Sequence, residues 1–133
     1  MRNISWNKSL SVEVDEIDDD HRKLIDLFNM LSQSVAAGDS DDFIETLLEE
    51  LISCTQCHFK HEERLMLLYK YRDMAGHKDE HDELMNSVNA LRRKYHEQDR
   101  KLSDEDIEYL ETWLTEHILG HDMRLGFYLE EVM

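Results

Sequence analysis

Residues 41–69 read DDFIETLLEELISCTQCHFKHEERLMLLY, and the spacing of the apolar positions in this stretch decides the fold. Ile44, Leu47, Leu48, Leu51, Cys54, Thr55, His58, Glu62, Leu65, Met66 and Tyr69 recur every three or four residues, which is one face of a helix. Partway along, that face stops being apolar. His58 and Glu62, one turn apart, occupy positions where a core residue is expected. Burying an imidazole and a carboxylate is expensive unless something satisfies them.

Before this stretch, Leu24, Ile25, Phe28, Leu31 and Val35 form a second apolar stripe, with Asp18, Asp19 or Asp20 as its cap and Gly38-Asp39-Ser40 as its end. After it, a short link at Tyr71–Asp73 leads to a third helix from about Met74 to Gln98. One face of that helix carries His77, His81, Leu84, Val88, Leu91 and Tyr95. Ser103 followed by Asp106 resembles a capping box and opens a fourth helix bearing Ile107, Leu110, Trp113, Leu114, His117 and Ile118. Gly120 and Gly126 loosen its pattern, and Leu125–Met133 continues it by a further turn or two. Ahead of everything lies an extended arm that Trp6, Leu10, Val12 and Val14 pack onto the rest. The chain has no proline and four glycines, so little interrupts the helices. The prediction is an all-α, up-down-up-down four-helix bundle with an N-terminal extended arm, a single domain over residues 1–133.

Composition narrows the function. A formal net charge of -16 repels phosphate backbones and argues against nucleic acid as a partner. No apolar run is long enough to span a membrane, and Met1–Leu10 lacks the apolar centre of a signal peptide. Cys54 and Cys57 sit within a helix and do not read as a disulfide framework, which points to a reducing cytoplasm.

The polar residues on core faces form a set. His58 and Glu62 are four apart, as are His77 and His81, so each pair projects from one side of its helix. Folding the chain about its turns brings His21 level with His58, Glu62 with His81, and His81 with His117 and Asp122. The mismatches of two or three residues amount to roughly 3–5 Å along the axis. Five imidazoles and two carboxylates are too many for one tetrahedral zinc and suit two metals bridged by carboxylates. Ligand type alone leaves Fe, Mn, Zn and Cu open. The Glu-x-x-His signature of ferritin-like di-iron bundles is absent, and His61-Glu62-Glu63 lacks the second histidine of a zinc-protease motif. His117 and Asp122 are five apart, about 140° around an ideal helix, so a π-bulge near Gly120 is expected.

These elements together resemble the hemerythrins, specifically the bacterial group: Trp6–Val14, Ile17-Asp18 with His21, His58-Phe59 with Glu62-Glu63, His77 with His81, and His117-Ile118 with Asp122. The resemblance covers nearly the whole chain. It implies two non-haem irons bridged by an oxo or hydroxo group. One is held by His77, His81 and His117, the other by His21 and His58, with Glu62 and Asp122 between them. It also implies that dioxygen binds reversibly at the open position of the two-histidine iron. Leu24, Ile25, Phe59, Leu114 and Ile118 are expected to wall that position. Many relatives have proline after Tyr71, where this chain has Arg72. His61, His96 and His121 are expected at the surface, with a role for His121 beside the centre as the alternative. Cys54 is expected as a small core residue, or else as a thiol close to the iron. An oxygen carrier or store that is not an enzyme is the first functional expectation, favoured by Met1 opening directly on the domain. An oxygen or redox sensor with a signalling partner or flanking domain is the alternative.

Overall fold

The computed structural model describes residues 2–133, and among them every regular element is helical. A 3-10 turn at Lys8–Leu10 interrupts the arm. Then come α1 (Asp15–Ala37), α2 (Asp41–Leu68), α3 (Met74–Glu97) and α4 (Asp104–His117). A π-helical turn, Ile118–Asp122, carries α4 directly into α5 (Met123–Val132), so the fourth rod of the bundle is one continuous helix with the expected bulge inside it. Helix α1 packs on α2 and α4, and α2 packs on α3. None of the helices is long and apolar enough to cross a membrane.

The ends obey local chemistry. Gly38 closes α1 in the left-handed region at φ 69°, which an L side chain adopts only with strain. Ser40 caps α2 by accepting from the Phe43 N–H, and Ser103 with Asp106 makes the full reciprocal box at α4. The start of α1 departs from expectation. It begins at Asp15 behind Val14, which makes no side-chain cap. Asp18 is instead buried, accepting from the Val12 N–H at 2.9 Å and the Ser11 hydroxyl at 2.6 Å. The arm leaves a backbone donor there that needs an acceptor, and Asp18 supplies it.

The arm is tied down along its length. Asn29 exchanges two 2.8 Å hydrogen bonds with the Ile4 backbone, Arg2 pairs with Glu108 and Glu111, and the Arg22 guanidinium sits 4.7 Å from the centre of the Trp6 ring. Val12 crosses α5 at Gly126 so closely that a Cβ on that glycine would lie 2.3 Å from the Val12 carbonyl oxygen.

The core is divided in two. A large apolar cluster includes Phe28, Leu31, Leu48, Leu51, Val88, Leu91, Tyr95, Leu110 and Leu114. A smaller one closes the opposite end with Val12, Val14, Ile17, Leu65, Met66, Leu125 and Leu129. Cys54 packs against the larger cluster, Cys57 is exposed, and both thiols are free.

Candidate metal centre

Between the two apolar clusters lie His21 of α1, His58 and Glu62 of α2, His77 and His81 of α3, His117 at the end of α4, and Asp122 at the end of the π turn. None of the seven is more than 3% exposed. The π turn explains how two residues five apart both face inward. Bonding from i to i+5 stacks Asp122 over His117 instead of leaving it a third of a turn away.

All five imidazoles direct Nε2 into the layer. His21 Nε2 is 2.6 Å from Asp122 Oδ2 and 3.1 Å from His58 Nε2. His81 and His77 Nε2 lie 2.9 and 3.2 Å from Glu62 Oε1, and His77 Nε2 lies 3.1 Å from Asp122 Oδ1. Donors bound to one cation at about 2.1 Å sit about 3 Å apart along the edges of its coordination polyhedron, and these separations match. Two donor sets emerge, His21-His58-Glu62-His117-Asp122 and Glu62-His77-His81-His117-Asp122, each with its atoms within 4.8 Å of one another. They share both carboxylates, as two adjacent cations with bridging carboxylates require.

Hydrogen bonding leaves the layer incomplete. Glu62 Oε2, Asp122 Oδ1 and His117 Nε2 are buried without an aligned hydrogen bond, although His117 Nε2 is only 2.8 Å from Asp122 Oδ2. Lone pairs that converge on a point rather than on one another are what a cation satisfies and a proton does not. The residues present therefore fit a pair of cations.

Electrostatics agree. Burial alone would push the His58 imidazole down, but the Glu62 charge and hydrogen bonds with Asp122 and Asp20 carry it up to about 10. His117 rises to about 10 against the same opposition, because Asp122 and then Glu62 face it. His77 is raised to about 9 by hydrogen bonding with Asp122 and Glu62, again against burial. Burial and the Asp122 charge press the Glu62 carboxyl up, yet the imidazoles of His58, His117 and His77 hold it well below its usual range. Asp122 is likewise held low, against its burial, by His117, His21 and His58. Two buried carboxylates thus draw positive charge into the layer, and metal binding would exchange protons for cations.

A ring of outer carboxylates surrounds the layer. Asp20 Oδ2 accepts from His58 Nδ1 at 3.0 Å, Glu63 Oε2 from His81 Nδ1 at 3.0 Å, and Glu80 Oε1 from His117 Nδ1 at 2.8 Å. Such partners fix the tautomer and orientation of a ligand imidazole. Sequence reading missed all three, although each sits next to a candidate ligand: Asp20 before His21, Glu63 after Glu62, Glu80 before His81. The expected surface positions of His61 and His121 also need correction. Both are half-buried, His61 against Asp20 and His121 against Glu80, and only His96 is exposed. Among the expected pocket walls, Phe59 stacks on His81 at 3.9 Å between ring centroids. Leu24, Ile25, Leu114 and Ile118 are buried in the larger apolar cluster.

Fold and site define a four-helix bundle built around a buried cluster of metal donors. The model of the hemerythrin HHE cation binding domain matches residues 12–126. The chain is 33% identical to a bacteriohemerythrin of Methylococcus capsulatus over 82% of each protein. It is 29% identical to myohemerythrin-1 of Phascolopsis gouldii over 90% of this chain and 88% of that one. A wild-type hemerythrin crystal structure superposes with a TM-score of 0.86 at 31% identity, covering 95% of this chain and 97% of that chain. The chain belongs to the hemerythrin family.

Proposed function

We propose that this protein binds dioxygen reversibly at two non-haem irons bridged by an oxo or hydroxo group, and that it works as a carrier or store rather than an enzyme. His77, His81 and His117 would hold one iron, His21 and His58 the other, with Glu62 and Asp122 shared. When bound, the iron pair supplies the electrons that capture dioxygen and takes them back on release. The side with two imidazoles has the smaller complement of protein donors, which leaves room for a small ligand.

The chain's own part is to hold the donors and keep the layer dry. Phe59, against His81 and His117, and the apolar clusters on either side exclude water from a site whose oxidised form water would otherwise reach. The free thiols fit a reducing compartment such as the cytoplasm, with the chain acting as one domain. One observation carries the reading: two overlapping donor sets that share Glu62 and Asp122 inside a buried layer.

The test is an optical spectrum of anaerobically reduced, iron-loaded protein, taken before oxygen, after oxygen and after its withdrawal. A charge-transfer band that appears and then vanishes is the expected result. Irreversible passage to the oxidised spectrum would overturn carriage and point to oxygen or redox sensing. His58→Ala is expected to abolish the reversible band, and retention of that band with both irons present would refute the ligand assignment.

A further inference from the structure

Two of the three outer carboxylates are themselves gripped by a second imidazole that is not among the candidate ligands. Asp20 Oδ2, which accepts from His58 Nδ1, also accepts from His61 Nδ1 at 2.6 Å, and His61 Nε2 lies 3.1 Å from Glu16 Oε2. On the other half of the centre, Glu80 offers Oε1 to His117 Nδ1 and contacts His121 Nε2 through Oε2. Glu63, which serves His81, has no such companion among the described residues.

The two arrangements share a plan. The ligand and the outer imidazole come from the same helical segment, three residues apart for His58 and His61 and four for His117 and His121. The carboxylate between them comes from the neighbouring helix. Each trio is therefore a clamp closed across a helix boundary. The Asp20 and Glu80 side chains are 30% and 16% exposed. A partly exposed carboxylate with a single partner keeps rotamer freedom and competes for water, and a second partner removes that freedom.

We infer that His61 and His121 are positioning residues for the metal centre. They fix Asp20 and Glu80 on the Nδ1 atoms of His58 and His117, one on each half, and so keep those two ligands aimed inward and electron-rich. The inference rests on the reading of His58 and His117 as ligands. It separates them from His81, whose carboxylate is not clamped.

The experiment uses the full chain loaded with ferrous iron under anaerobic conditions and follows iron release to excess bipyridine. His61→Leu is expected to speed release roughly 10-fold, the low end of what losing an outer partner costs a metal site. His61→Asn keeps an N–H near the Nδ1 position and is expected to restore most of the retention. The double variant Asp20→Asn with His61→Leu is expected to release iron no faster than Asp20→Asn alone, because His61 acts through Asp20. His121→Leu, its rescue by His121→Gln, and Glu80→Gln are expected to repeat the pattern on the other half. A second readout needs no iron. In nitrogen-15 spectra of the metal-free protein, the His58 Nδ1–H should exchange faster with water in His61→Leu, while the His81 Nδ1–H stays unchanged. Unchanged release in both leucine variants, additivity with the carboxylate variants, or equal loosening of His81 would overturn the inference. Failure of the wild-type chain to hold two irons would instead refute the proposed function, leaving the exchange experiment to judge the clamp.

Discussion

The two layers of the bundle interior are built on opposite terms. In the apolar layer around Phe28, Leu48, Leu51 and Leu110, nearly every buried side chain is satisfied by its neighbours alone. In the layer beside it, five imidazoles and two carboxylates are equally buried, yet three of their inward atoms have no aligned hydrogen bond. The first layer gains from every contact it makes. The second accepts an unfavourable burial that only an added cation relieves. A fold can hold such a layer because the apolar clusters on both sides supply the stability it lacks.

The largest effect that would sharpen this contrast is with pH in the metal-free protein. His58, His77 and His117 stand at about 10, 9 and 10 against an ordinary 6.5. A group that holds its proton more tightly when folded lends stability that is complete below about pH 6.5 and is lost as the pH rises through 9 to 10. Glu62 and Asp122 run the other way, since their lowered values lend stability that is present above about pH 4.5 and lost on acidification. Urea resistance of the metal-free chain is therefore expected to peak between about pH 4.5 and 6.5. It should fall by several kcal/mol toward pH 10, at about 1.4 kcal/mol per unit of raised pKa. The iron-loaded protein, with its ligands already deprotonated, is expected to lack the alkaline fall. Equal midpoints at pH 6.5 and 10 without metal would contradict this account of the polar layer.

Phe28→Ala tests the apolar layer. Phe28 is fully buried, so the substitution is expected to cost about 3–5 kcal/mol whether or not metal is bound. Iron per chain, measured by elemental analysis, is expected to stay at the wild-type value in the folded fraction. Loss of iron from folded protein would mean that the two layers are coupled more tightly than their composition suggests. The smallest effect is expected at the closing end. The Cβ introduced by Gly126→Ala meets the Val12 carbonyl, an overpacking worth about 1–3 kcal/mol, read as a lower melting temperature with faster amide exchange at Val12.

Much of this was legible in the sequence, because helices write their faces as a period. The stripe in residues 41–69, the serine caps and the seven inward polar residues all follow from spacing within one helix. Even the π turn follows, since His117 and Asp122 face the same way only if the helix gains a residue. What stayed hidden depends on how one helix is rotated against another. Asp18 reads as a cap by its position, and only the passage of the arm beside it gives it the Val12 N–H instead. Asp20, Glu63, Glu80, His61 and His121 look like ordinary surface residues until the neighbouring helix is in place.

The three outer carboxylates follow an order along the chain. Asp20 sits beside a ligand of α1 but serves His58 on α2, Glu63 beside a ligand of α2 serves His81 on α3, and Glu80 beside a ligand of α3 serves His117 at the end of α4. Each helix thus carries the key to the next one's lock. A slip of any helix by one residue would part several of these pairs at once, so correct register can be recognised during assembly by side chains alone. The cage is proofread before its cargo arrives.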